Sequence, residues 1–128
     1  MADRASIQKT IDSYLAAFTA GDRAGWLECF TEDAWIEDPV GTPRRTGRAE
    51  IGAFWDETHA VPDGIELRSM GLTTIIGSEA AFTMQARPNL GGDVYAIDII
   101  DVMTFDDDAK ITTMRAFFDP ETMRPAGD

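Results

Sequence analysis

Three side chains in this sequence, Tyr14, Asp38 and Asp101, have chemistry that sits oddly with their surroundings. Asp101 falls inside Tyr95-Ala-Ile-Asp-Ile-Ile-Asp-Val-Met-Thr-Phe, a run bounded by Gly91-Gly92-Asp93 and Asp106-Asp107-Asp108. Turn chemistry on both flanks and a β-branched, aromatic interior predict a strand. Alternation then puts Tyr95, Ile97, Ile99, Asp101, Met103 and Phe105 on one face, where Asp101 is the single charged member. The other face (Val94, Ala96, Asp98, Ile100, Val102 and Thr104) is largely apolar as well, so the strand is expected to be covered on both sides. An ionised carboxylate without a partner is too costly there and takes up a proton instead. A neutral acid has an O–H to donate, and that is the chemical opportunity in Asp101. The plainer alternatives are a bulge that turns Asp101 outward, or an ion pair with Arg115.

Tyr14 lies on a predicted helix, Ser6 to Ala20, whose Ile7, Ile11, Tyr14, Leu15 and Phe18 share one face. The phenol therefore points inward, where it either packs or finds a hydrogen-bond partner. Asp3 or Ser6 caps the start of this helix and Gly21 stops it. Asp38 closes a short strand, Ala34 to Asp38, on the side of Ile36, just before Pro39 ends the segment. A surface-loop acid is the alternative reading at that position.

The remaining elements have to position these three residues. Asp22 caps a short second helix that carries Trp26, Leu27 and Phe30 inward. Pro43, Arg44 and Arg45 lie in a loop, and Thr46 caps a third helix with an inward stripe of Ile51, Phe54, Trp55 and Thr58. From Ile65 the hydrophobic period becomes that of strands: Ile65 to Ile76, broken near Gly71, then Glu79 to Arg87, the Tyr95 strand, and Lys110 to Phe118. Pro88 to Asp93 reads as a turn, and the tail from Pro120 to Asp128 as loose. Helices gathered ahead of a run of antiparallel strands predict an α+β domain, with three helices over one side of a curved sheet.

The chain has 128 residues, the size of one domain, and its 44% hydrophobic and 27% charged content is that of a globular protein. A net charge of −12 argues against nucleic acid or an anionic membrane as partner. One cysteine, Cys29, rules out an internal disulfide and fits a reducing compartment, so a cytoplasmic protein is expected. With one histidine, His59, there is neither a zinc-ligand cluster nor a Ser-His-Asp set, and no glycine-rich phosphate loop. An enzyme built from this sequence works with carboxylates and a tyrosine.

The chain resembles the Δ5-3-ketosteroid isomerases, small members of the cone-shaped α+β superfamily of nuclear transport factor 2-like and SnoaL-like proteins. Three pieces carry the likeness: Tyr14-Leu-Ala-Ala-Phe-Thr-Ala-Gly-Asp, Glu37-Asp-Pro-Val-Gly, and Ile100-Asp101 with Met114-Arg-Ala-Phe-Phe downstream. The resemblance implies a steroid Δ-isomerase that moves the double bond of a 3-oxo-Δ5-steroid into conjugation. In it Asp38 is the general base, while Tyr14 and a protonated Asp101 donate to the dienolate oxygen. That pairing is the established pattern of this enzyme type, not a result of the spacing. The resemblance implies no cofactor and no metal, a small hydrophobic steroid as ligand, and a homodimer. Phe54, Phe82, Met84, Met103, Met114, Ala116 and Phe118 are expected to line an apolar pocket, with ordinary core as the alternative for each. Phe30 and Trp55 stand where the family places further tyrosines behind the first. Two rivals share the fold: an enzyme of another class, such as a polyketide cyclase or epoxide hydrolase, and a non-catalytic steroid binder or adaptor dimer. The hydrolase needs an arginine between two pocket acids, and the parity of Arg115 against Met114 and Ala116 turns it away.

Overall fold

The computed structural model of the protein describes residues 1–127. Helices α1 (Arg4–Ala20) and α2 (Arg23–Leu27) lead into strand β1 (Phe30–Glu37), the short β2 (Arg45–Thr46) and helix α3 (Gly47–Thr58). A meander follows: β3 (Ile65–Ile76), β4 (Glu79–Leu90), β5 (Asp93–Phe105) and β6 (Ile111–Phe117). The strands form one curved sheet in the order β2-β1-β6-β5-β4-β3. Every pairing is antiparallel except β1 with β6, which is parallel and brings Ile36 beside Met114 and Glu37 beside Arg115.

The inward faces are those that the hydrophobic periods define. Ile7, Ile11, Tyr14 and Phe18 of α1 are buried, as are Ile51, Phe54 and Trp55 of α3. They meet the inward face of the sheet, on which Phe30, Ala34, Ile36, Phe82, Met84, Ile97, Ile99, Met103 and Met114 are also buried. Asp3 caps α1 through a 2.8 Å bond from the Ser6 N–H, and Asp22 caps α2 from the Gly25 N–H at 3.0 Å. Gly71, at φ +96°, sits in a bulge between Ser69 and Thr73, where β3 slips its register against β4.

Several expectations change. Phe30 begins β1 and is not part of the second helix. The Thr46 hydroxyl makes no cap bond; the Glu50 carboxylate instead accepts the Thr46 N–H at 2.8 Å, the reverse half of a capping pair. Strand β4 runs on to Leu90, leaving Gly91-Gly92 as the turn, because its pairing with β5 skips Arg87 and Pro88 and resumes at Asn89. The skipped position is where proline has no N–H to give.

The expected loose tail is ordered from Pro120 to Pro125, while its last residue, Asp128, lies outside the described residues. Pro120–Thr122 forms a turn of 3₁₀ helix, and Arg124–Pro125 forms β7, paired with Tyr95 and Ala96 of β5. Arg124 reaches Asp98 at 3.3 Å, and Asp98 also accepts from Gln85 at 3.1 Å. The chain thus returns to β5 at the end that β6 leaves bare. The outer face of β5 departs from expectation too. Ile100 is 49% exposed and its cross-strand neighbour Phe117 41% exposed, so this chain alone covers the strand on one side.

The capping geometry predicts that Glu50→Ala lowers the unfolding free energy by about 0.5–2 kcal/mol, while Thr46→Val costs clearly less. Urea melts of the two variants check this, and the opposite order would restore the hydroxyl cap.

Candidate active site

The two acids are placed by neighbouring strands. Because β1 runs parallel to β6, Asp38 leaves β1 alongside Ala116, and the Val40 N–H donates to the Ala116 carbonyl at 2.8 Å. On its other side Ala116 pairs directly with Asp101 of β5, which pairs in turn with Phe82 of β4. Asp38, Ala116, Asp101 and Phe82 therefore form a row across the sheet. The two acids stand two strand spacings apart, roughly 10 Å between backbones. Ala116 between them contributes only a methyl group.

Asp101 is fully buried. The register of β5 is regular through it, so no bulge turns it outward. Arg115 lies on the opposite face, where its Nε donates to Glu37 at 2.9 Å, so the alternative ion pair is absent. Among the described residues neither carboxyl oxygen of Asp101 has a hydrogen-bond partner.

Helix α1 lowers Tyr14 onto the same region. Its hydroxyl donates to Met114 Sδ at 3.3 Å, one inward position along β6 from Ala116. A thioether is a weak acceptor, so this donor is lightly held. The Tyr14 ring has Phe30 edge-on at 6.3 Å and Trp26 at 5.7 Å. Trp55 packs instead on Trp26, Phe18 and His59. Among the described residues the phenol bonds to no further hydroxyl.

Tyr14 and Asp38 open onto a cavity of about 280 Å³ between the helices and the sheet. That is near the small end of the roughly 300–1,000 Å³ usual for ligand pockets. Thr58 is its third polar lining residue, and the Thr58 hydroxyl is already committed to the Trp55 carbonyl at 2.9 Å.

Burial sets the protonation states. It pushes Asp38 up to about 7, partly offset by the positive charge of Arg45. Asp38 keeps some accessible surface because it borders the cavity, but apolar walls surround it and its desolvation follows from them. Asp101 is raised well above the usual carboxylate range, first by burial and then by the nearby charge of Asp38. Tyr14 is likewise raised well above an ordinary phenol, by burial and then by Asp101 and Asp38. The phenol and the Asp101 carboxyl act on each other, although the bond with good geometry runs from Tyr14 to the sulfur. At neutral pH the site offers one acid poised to exchange a proton and two neutral O–H groups. Cys29, pushed up to about 11 mainly by burial, is no nucleophile.

Of the apolar residues expected around the pocket, Phe54, Met84 and Phe118 line the cavity. Phe82, Met103, Met114 and Ala116 do not. They lie behind it in the packed sheet face, each at most 2% exposed, where Phe82 and Ala116 flank Asp101 and Met114 holds Tyr14. The wall also includes Ile97 and Ile99, which the alternation around Asp101 had already turned inward, and Pro120 and Met123 from the folded-back tail. An apolar methionine after an Asp-Pro turn was the only signal for that last contribution. Among the described residues no three His, Cys, Asp or Glu side chains converge as a metal site. Among the described residues no helix is long and apolar enough to cross a membrane.

Helices on a curved, mostly antiparallel sheet, with few polar groups in an apolar hollow, define the SnoaL/nuclear transport factor 2-like class. Residues 11–114 match the SnoaL-like domain, and the chain belongs to that family. It is 34% identical over 119 residues to a steroid Delta-isomerase of Nocardioides simplex, an alignment covering 93% of this chain and 94% of that protein. Among solved structures it is similar to SalBIII, an epoxide hydrolase/cyclase-like enzyme with a role in pyran ring formation in the polyether salinomycin. That likeness has a TM-score of 0.86 and 26% identity, over 98% of this chain and 99% of that one. RV0760c of Mycobacterium tuberculosis shares the fold, with a TM-score of 0.84 at 22% identity over 97% and 98% of the two chains.

An acid buried in neutral form binds a proton more tightly folded than unfolded. Its contribution to stability is therefore complete at low pH and is lost as pH rises from the ordinary carboxylate value, 3.8, toward its raised folded value. Asp101→Leu removes that dependence. The variant is expected to melt at the same or a higher temperature than the parent, with a gap that widens in its favour as pH rises above the ordinary carboxylate value, by up to about 1.4 kcal/mol per pH unit. An Asp101 that is ionised and paired predicts the reverse, a loss of about 3–5 kcal/mol in the leucine variant.

Proposed function

We propose that this protein is a steroid Δ-isomerase, converting a 3-oxo-Δ5-steroid to its conjugated Δ4 isomer by proton transfer within one molecule. The observation that carries the reading is the pairing of Asp38, held near 7, with a buried neutral Asp101 across Ala116, and the opening of Asp38 and Tyr14, though not of Asp101, onto an apolar cavity. The 34% identical steroid Delta-isomerase supports the same reaction class. The carboxylate of Asp38 takes the proton from the carbon between the ketone and the double bond. The electron pair of that C–H bond moves into a dienolate, and its oxygen accepts hydrogen bonds from Tyr14 and Asp101. Asp38 then returns the proton to the far carbon of the original double bond, and the ketone re-forms in conjugation. Atoms and electrons balance without any redox partner.

The energetics suit this chemistry. A base whose proton affinity lies near neutrality can both take and return a proton. Donors already fixed in a dry site need no reorganisation when charge reaches the oxygen. The Tyr14 hydroxyl leaves a weak sulfur acceptor for a strong oxygen one, so its turn toward the substrate costs little. The likeness to SalBIII raises epoxide opening as a second reading. That reaction wants an arginine between two acids of the pocket; here Arg115 faces away, and Arg45 is bonded to Glu57, outside the cavity. In the proposed homodimer, a second copy covers the outer face where Ile100 and Phe117 are exposed.

Ultraviolet absorbance, followed as a β,γ-unsaturated 3-ketosteroid becomes conjugated, tests the reaction directly. Asp38→Asn is expected to cut turnover by about 10²–10⁴-fold with steroid binding little changed. Tyr14→Phe, which keeps the ring and removes the donor, is expected to cost about 10²–10³-fold. Near-normal turnover in the Asp38 variant would remove that residue from the proton transfer. For the assembly, sedimentation equilibrium should give twice the chain mass, with Phe117→Glu shifting the protein toward monomer. A monomeric parent rejects the dimer.

A further inference from the structure

The row of acids is overlooked by a cation that the reaction does not itself use. Strand β2 pairs with β1 so that Arg45 stands directly opposite Ile36. Residues directly opposite share a face, and Ile36 is buried with Asp38 two positions further on the same side. The Arg45 guanidinium lies 5.5 Å from the ring centroid of Phe54, which lines the cavity together with Asp38. It is held there by Glu57 on the last turn of α3, through two N–H···O bonds of 2.8 Å each. That fork-to-fork geometry fixes direction as well as distance. Its neighbour Arg44 goes elsewhere, stacking over Trp35 at 3.7 Å and reaching Glu37 at 3.7 Å.

Around Asp38 the cavity wall presents no competing cation, β3 and β4 contributing only apolar side chains to it. Helix α1 presents Tyr14, β5 presents Asp101, and α3 presents Phe54 and Thr58. From the end of β6 and the tail come Phe118, Pro120 and Met123. None of these is a cation. Glu57 and Glu50 act on Arg45 rather than on Asp38. Burial and Arg45 thus oppose each other at Asp38, and the balance lies near 7.

We propose that Arg45, clamped by Glu57, is a positioning residue that sets how readily Asp38 takes up a proton. A free arginine at this site could swing onto Asp38 and pair with it, which would leave a carboxylate too weak to act as base. With no cation there, burial alone would keep Asp38 protonated and equally idle. The clamp holds the positive charge close enough to favour ionisation and far enough away to prevent a direct pair. Its use in catalysis rests on the isomerase reading; its effect on Asp38 does not.

The test reads Asp38 itself. The carboxyl ¹³C resonance of Asp38, assigned by its absence in Asp38→Asn, is titrated in the parent and in three variants. Arg45→Met should move the midpoint up by roughly half a unit or more, since an opposite charge has been removed. Glu57→Gln, which removes the countercharge and frees the guanidinium, should move it down. The double variant should follow Arg45→Met, because Glu57 acts through Arg45. Simple loosening of the fold would not shift two variants in opposite directions. Glu57 is exposed, so Glu57→Gln folds even if Arg45→Met does not, and its downward shift alone supports the clamp. Unmoved midpoints, or shifts of one sign in both single variants, overturn it. Steroid assays on the same samples separate the two readings. Opposite shifts in a protein that turns over no steroid support the clamp and reject the isomerase, whereas unmoved midpoints in an active isomerase reject the clamp alone.

Discussion

The burial of Asp101 is the constraint on which the rest of the site depends. A carboxyl group with no accessible surface and no hydrogen-bond partner among the described residues is stable only as the neutral acid. Keeping it neutral takes a dry face, which Phe82, Met103, Met114 and Ala116 supply from three strands. It also takes a lid on that face, which α1 supplies along with Tyr14. The same packing that excludes water from Asp101 shapes the apolar cavity and raises Asp38 toward neutrality. One unfavourable act of burial therefore arranges an acid that stays protonated, a second acid that can change state near neutrality, and an apolar chamber.

Within one family of folds, such a hollow serves many chemistries, so the distinguishing information lies in a few polar atoms. Here those atoms are unevenly distributed. The inward face gathers two acids and a phenol, while the outward face takes the conventional ion pairs, Arg115 with Glu37 and Arg124 with Asp98. This sorting by strand parity lets one sheet carry a desolvated site on one side and a charged surface on the other.

Much of this was legible in the chain, for reasons that are themselves local. Helical and strand periods are short-range signals, so the inward faces of α1, α3 and β5 could be read directly, and with them the orientation of Tyr14, Asp101 and Arg115. The fold class followed from the order of those elements, and the family model and the structure agree with it. Register over long separations is not written in any one segment. That Ala116, not a bulkier residue, lies between the two acids depends on pairing β1 with β6. The cavity wall was harder still. Phe82 and Met103 have the same alternation as Met84, and only the three-dimensional position of α1 and α3 decides which of them meets empty space. The tail misled because Pro120, Arg124 and Pro125 look like linker composition, whereas their partner, the bare end of β5, lies some thirty residues away in sequence.

The single parallel pairing, β1 with β6, has a consequence for how the molecule comes into being. It joins Ile36 to Met114, 78 residues apart in a chain of 128, and antiparallel meanders alone could form without it. As the chain leaves the ribosome, α1, α2, β1 and α3 emerge first and must wait for β6 before their apolar faces are closed off. During that interval Trp26, Phe30 and Ile36 have no completed sheet to bury against, a vulnerable period for a protein dominated by distant contacts. Strand β6, the last of the long strands to be synthesised, also supplies the backbone that aligns the two acids. The strand that closes the core is thus also the one that brings the two acids into a row, and the tail then adds Pro120 and Met123 to the cavity wall.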